Sequence, residues 1–204
     1  QQYNVKEIEL FRAIEKLLEQ GFKLHELKVA DITRTARMGK GTAYDYFNSK
    51  DEILRGAIRY RVTQEFERFH EIIQSPLLFR DKFMSSLDLA DEMMHVHLPR
   101  ICVMMQTLLH PDLVPADPDE EAYYSRLLAE SNQWICLLLK QGAAEGYLHP
   151  QSSETWRLFA FRGVIMAYVQ ARQLPAGEPM TNEQYKQAAW NLMLRALGKP
   201  LPDH

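Results

Sequence analysis

Cysteine is scarce in this chain. Its 204 residues include only Cys102 and Cys136, too few for a disulfide framework and in keeping with a reducing cytoplasm. No apolar run approaches the roughly 18–20 residues that a membrane-spanning helix needs, so no membrane partner is expected. The first residues, QQYNVKEIELFRAI, hold no basic stretch followed by an apolar one, so export is not expected. Beginning at Gln1 rather than Met, the sequence is expected to lack the native first residues. Strand-like alternation and internal repeats are missing as well. No Ser-His-Asp or paired-carboxylate constellation can be read, which argues against an enzyme. His95, His97, Cys102 and His110 come nearest to a metal set, but two residues of helix turn by about 200°, so the first two rings diverge. No second Cys or acidic partner falls at zinc spacing. No metal and no cofactor are expected.

Charge of one sign is not in excess either: 24 Lys/Arg stand against 27 Asp/Glu, a net −3. The distribution is uneven, however. Residues 1–65 hold 12 basic and 10 acidic side chains, while residues 66–204 hold 12 and 17. Within 28–50 five basic residues (Lys28, Arg34, Arg37, Lys40, Lys50) face two acidic ones (Asp31, Asp45). A phosphate backbone would be met there.

What is present is helical periodicity. Val5, Ile8, Phe11, Ile14, Leu17 and Leu18 recur at three- and four-residue spacing, and Gly21 follows as a C-cap. A short helix holds Val29, Ile32 and Ala36; another is expected from about Lys40 to Phe47. Ser49 then caps a long helix running to Pro76, with Glu52 placed for a capping box. Further helices are expected around 83–94, 98–109, 124–139, 154–173 and 185–197. The stretch 110–121 reads as a loop, and Pro175-Ala176-Gly177 as a break. The fold class is all-α.

Residues 28–50, KVADITRTARMGKGTAYDYFNSK, read as two short helices joined by a tight turn, a helix-turn-helix. The run Gly41, Thr42, Tyr44, Tyr46, Phe47 and Lys50, preceded by Ile32 and Ala36, resembles the DNA-binding domain of the TetR family of bacterial regulators. The resemblance covers about a quarter of the chain by motif; the helical remainder agrees in length and layout. In the family the turn residue is glycine and the helix cap is serine. Here those positions hold Arg37 and Gly39, so the permissive residue is expected to have moved to 39. The free amides at 40–42 are then open to a phosphate, and Lys28 stands where the family has a polar cap.

The resemblance implies roles. Thr42, Tyr44 and Lys50 would meet phosphates, with Lys28, Arg37 and Tyr46 in the same interface. Gly41 would let the backbone approach the duplex. Lys40, Ala43 and Asp45 are the expected base readers. Tyr44 and Tyr46 alternatively pack the small core, and Asp45 alternatively repels phosphate or pairs with a nearby cation.

Several of the nine methionines (Met84, Met93, Met94, Met104, Met105 and Met166) fall on helices that enclose the effector cavity in TetR-like proteins, and flexible thioethers suit ligands of variable shape. Met84, Met105, Tyr124, Trp134, Phe161 and Met166 are the expected effector lining. The helix 154–173 is apolar on nearly every side and must be covered on all of them. With the stripe on the last helix it predicts a homodimer interface including Phe159, Gly163, Met166, Ala167, Ala189, Leu192, Met193 and Ala196.

The expected organisation is a DNA-binding head at 1–48 and a helical body at 49–198, with residues 49–74 as the connecting helix. The expected function is that of a cytoplasmic, homodimeric repressor that releases a palindromic operator when a small, largely apolar effector binds. The alternative is a helical carrier or enzyme whose head does not bind DNA.

Overall fold

A computed structural model describes residues 3–23, 26–93, 118–150, 153–174, 178 and 180–198. They form helices α1 (Val5–Glu19), α2 (Val29–Thr35), α3 (Lys40–Tyr44), α4 (Lys50–Gln74), α5 (Phe79–Glu92), α6 (Pro118–Ala144), α7 (Glu154–Gln173) and α8 (Asn182–Leu197). The fold is all-α, with an N-terminal helix-turn-helix unit and a larger helical unit after it. Packing divides the two between Glu65 and Phe66, inside α4.

Local chemistry starts and stops the first helices. Asn4 Oδ1 accepts from the amides of Lys6 (2.9 Å) and Glu7 (3.1 Å), and Glu7 returns a carboxylate to the Asn4 amide. This reciprocal box satisfies donors that a helix start leaves orphaned. Residue 21 ends α1 as expected: the Gly21 amide bonds Leu18 O, and the Phe22 amide bonds Leu17 O. Ser49 Oγ caps α4 by accepting from the Glu52 amide at 3.1 Å. The Glu52 carboxylate reaches one residue further than the box predicts, to the Asn48 amide at 2.6 Å.

The first core joins Leu10, Phe11, Ile14 and Leu17 of α1 to Leu27, Ile32, Ala43 and Phe47. Ile53, Leu54, Ala57 and Ile58 of α4 complete it, which is why the packing boundary lies within that helix. A Cβ at Gly56 would sit 2.8 Å from the Phe11 ring, so α1 and α4 approach more closely than any side chain there would allow.

In the second unit Trp190 is central. Its ring lies 5.3–5.6 Å from Phe79, Phe83 and Tyr147, and the core continues through Leu87, Leu138, Leu139, Phe161, Val164 and Met193. Lys82 is buried beside it. Its ammonium donates to Ile73 O (2.6 Å) at the end of α4 and to Gln141 Oε1 (2.9 Å). Gln141 donates in turn to Glu145, whose carboxylate accepts from the Phe79 amide. Two helix ends are thus capped by side chains from elsewhere in the chain, and the buried ammonium has two hydrogen-bond acceptors.

Some boundaries differ from expectation. α3 stops at Tyr44, with the turn continued by the Phe47 amide bonding Ala43 O. α6 opens at Pro118, inside the expected loop, because proline suits a first helical position and acidic residues follow it. The expected 98–109 helix, most of the 110–121 loop and the break at 175–177 lie outside the described residues.

Candidate nucleic-acid interface

The turn between α2 and α3 is set by how α2 ends. The Arg37 amide bonds Arg34 O (3.1 Å) and the Met38 amide bonds Thr33 O (2.8 Å). These are the two bonds of a Schellman ending, which requires a left-handed residue at 37. Arg37 has φ 54°, whereas the equivalent residues closing α1 and α6 are Gly21 (φ 87°) and Gly146 (φ 85°). The expectation that the permissive residue had moved is therefore corrected. Gly39 has φ −69° and ψ 146°, ordinary extended backbone at the cap of α3. Arg37 carries the left-handed conformation, at a cost of about 1–2 kcal/mol for a residue with a Cβ.

From this turn α3 projects outward. A Cβ placed on Gly41 would have no atom within 4 Å. Nothing in the described fold requires glycine there, although glycine weakens a helix. Tyr44 and Tyr46 are 46% and 40% exposed, so neither fills the core. Lys40 lies with its ammonium 5.8 Å from the Tyr44 ring centre. Asp45 is exposed beside them, and Thr42 is half-buried.

Ala43 is corrected as a base reader. It has no exposed surface and packs into the head core, because in so short a helix the residue between Thr42 and Tyr44 faces inward. Lys28 and Arg37 are exposed. Arg34 pairs with Asp31 at 3.4 Å, and Asp31 also accepts from the Lys28 amide. Lys50 is half-buried, and its ammonium donates to Leu27 O at 3.1 Å.

The body residues separate into two sets. Of the expected effector lining, Phe161 is buried 6.2 Å from Phe83, whereas Met166 is 50% exposed on the other side of α7. They cannot line one cavity, which corrects that grouping. Met166 borders an open groove of about 410 Å³ with Thr155, Leu158, Phe159, Arg162 and Gly163. Met84 and Trp134 are half-buried against the second core. Trp134 stacks on His70 at 4.8 Å, with Phe66 and Phe69 beside it. Tyr124, half-buried, sits edge-on to Tyr123. Met105 lies outside the described residues.

Of the expected dimer face, Phe159, Gly163, Met166, Ala167 and Leu192 are exposed and Ala196 is half-buried. Ala189 and Met193 are buried in their own subunit's core and are corrected. On α8 the face that carries Ala189, Trp190 and Met193 is the inner one, and Leu192 lies outside it.

Burial and a nearby Asp91 push the Tyr168 hydroxyl up to about 12; it donates to Asn182 at 3.1 Å. Asp91 forms a two-pronged pair with Arg172 (3.1 and 2.9 Å), which raises the guanidinium further. Burial, and then Glu154, raise the Cys136 thiol. Among the described residues no group of three His, Cys, Asp or Glu is placed to hold a metal. His95, His97, Cys102 and His110 lie outside those residues. No described helix is long and apolar enough to cross a membrane. Gly56 and the Lys82–Gln141–Glu145 chain were not legible in the sequence, since their partners are far along the chain.

Residues 11–57 match the family model described as bacterial regulatory proteins, tetR family. No match is found among curated proteins. Among solved structures, a TetR/AcrR-family transcriptional regulator from Thermobifida fusca YX-ER1 is 17% identical, with TM-score 0.68 over 94% of this chain and 97% of that one. A putative transcriptional regulator from Saccharomonospora viridis, in complex with choline, is 16% identical, with TM-score 0.65 over 95% and 97%. The regulator FadR from Bacillus subtilis, in complex with stearoyl-CoA, is 16% identical, with TM-score 0.58 over 93% and 98%. Residues 11–57 carry the DNA-binding segment described by the tetR-family model, and the helical fold of the chain is similar to that of solved TetR-family transcriptional regulators.

Proposed function

We propose that this chain is a homodimeric, ligand-responsive repressor acting in the cytoplasm. Its head, residues 1–48, reads one half of a palindromic operator; residues 49–74 form the connecting helix, and the body to residue 198 binds effector and partner subunit. The observation that carries the DNA reading is Gly41, a helix glycine with empty space over its α-carbon, flanked by exposed Lys40, Tyr44 and Tyr46. Side chains of this kind meet phosphates and base edges when a recognition helix enters the major groove.

The exposed apolar face of α7 and α8 supports dimerisation. Phe159 is 68% exposed and stacks on Trp156, leaving apolar surface that a second copy would cover. Two heads about 34–36 Å apart would then sit in successive major grooves. The aromatic cluster of Phe66, Phe69, His70 and Trp134 supports a largely apolar effector. The choline of the Saccharomonospora structure and the stearoyl-CoA of the Bacillus structure support an organic small-molecule effector in general. An effector acts by preferring one head spacing over another.

The test is binding of the purified chain to duplexes from its own promoter region across a salt series. Steeply salt-dependent binding that prefers a palindrome over a scrambled duplex is expected. No binding even at low salt overturns the proposal.

A further inference from the structure

We propose that Asp45 determines operator specificity: its carboxylate accepts a hydrogen bond from the N4 amino group of a cytosine in the major groove. The proposal rests on the DNA-binding reading above and assigns one base contact within it.

Ala43 gives α3 its inward direction, being fully buried in the head core. Gly41 and Asp45 lie two residues to either side of it. Each is turned from Ala43 by about 200° along the helix, so both fall within about 20° of the direction opposite to the core. The Asp45 backbone is still helical (φ −69°, ψ −23°), and its amide bonds Gly41 O at 3.1 Å. The two residues are therefore one turn apart on the same face. A Cβ at Gly41 would meet no atom within 4 Å. The face along which the helix backbone can come close to a duplex leads directly to the Asp45 carboxylate.

The fold gives that carboxylate no partner. Among the described residues none donates a hydrogen bond to it or pairs with it. Glu7, Asp31 and Glu52 in the same head each have a local partner. Asp45 also stands at the C-cap of α3, the negative end of the helix, where an acidic side chain is disfavoured. The Lys40 ammonium lies over the Tyr44 ring instead.

Close to phosphates an unpaired carboxylate is repelled, so on DNA it needs a donor. The base donors of the major groove are cytosine N4 and adenine N6. Adenine sets its N7 acceptor beside the amino group, which opposes a second negative atom to the carboxylate. Cytosine presents the amino group without an acceptor of its own beside it. Guanine and thymine offer no donor on this edge. A carboxylate at residue 45 thus favours cytosine.

The test is selection from palindromic duplexes with randomised half-sites of varied spacing. It is run on the full chain as wild type, Asp45→Ala and Asp45→Asn, with Tm measured for each. Wild type is expected to enrich cytosine at one position of each half-site. Exchanging that C·G pair for T·A should cost about 5- to 150-fold in affinity by anisotropy. Asp45→Ala should keep or raise its Tm, bind the two duplexes equally, and retain the preferences at the other positions. Asp45→Asn, whose amide can pair with adenine N6 and N7, should exchange cytosine for adenine there. Base preferences shared by wild type and both variants overturn the proposal. A uniform gain in affinity for every duplex in Asp45→Ala also overturns it, since the carboxylate would then merely repel phosphate. If wild type enriches no site and binds no duplex at low salt, the DNA-binding reading itself fails.

Discussion

Replacing Gly41 by alanine should make the protein more stable and less able to bind DNA. The new methyl group meets no atom within 4 Å, so the fold accepts it without strain. Alanine is favoured over glycine in a helix by about 0.5–1 kcal/mol. Because α3 is only five residues long, the lower end of that range applies. For a chain of this size that corresponds to a rise of about 1–3 °C in Tm. On DNA the same methyl occupies the space through which the backbone approaches the duplex. Overfilling a close contact costs about 1–3 kcal/mol, a loss of roughly 5- to 150-fold in affinity. Differential scanning fluorimetry and anisotropy on one preparation read both effects. A drop in Tm would mean that the fold itself needs this glycine. Unchanged DNA affinity would mean that α3 does not approach the duplex at residue 41. Either result refutes the reasoning.

Three further expectations follow from the same geometry. Arg37→Gly should relieve about 1–2 kcal/mol of left-handed strain against about 0.4–1 kcal/mol of added unfolded-chain entropy, so its Tm should rise while its salt slope on DNA falls by about 0.9 if the guanidinium meets a phosphate. Phe159→Glu should give monomers by light scattering with helicity intact, and should weaken palindrome binding; a dimer that persists would remove α7 from the interface. Tyr168 keeps its proton up to about pH 12 when folded but only to about 10 when unfolded, so stability falls as pH rises between those values, by up to about 1.4 kcal/mol per unit. Comparing wild type with Tyr168→Phe in urea melts at pH 9 to 11 should show a shallower decline in the variant, and equal declines would contradict the assignment.

The head was legible because its signals are local. The apolar spacing of α1, Gly21 after it and Ser49 before α4 each act within one or two helical turns, and the structure uses all of them. Arg37 was misread because glycine was taken to mark the turn. The turn is fixed instead by two hydrogen bonds at the end of α2, and those impose a left-handed residue whatever occupies the position. Ala43 shows a different limit. In a five-residue helix the inward face is set by what α2 and α4 leave uncovered, which no periodicity within the segment reveals.

In the body, the stripe on α8 was visible but its direction was not. Ala189 and Met193 pack inward beside Trp190, while Leu192 points out. The Lys82–Gln141–Glu145 chain joins residues about sixty positions apart, and only the folded arrangement brings them together.

The central claim is that residues 28–50 form half of a reading device completed by a second copy. It is tested most directly by the stoichiometry and affinity of the wild-type chain on a palindromic duplex and on the same duplex with one half-site scrambled. The account predicts two chains per intact duplex and loss of most of the affinity when one half-site is scrambled. One chain per duplex, bound equally well to the single half-site, would contradict it.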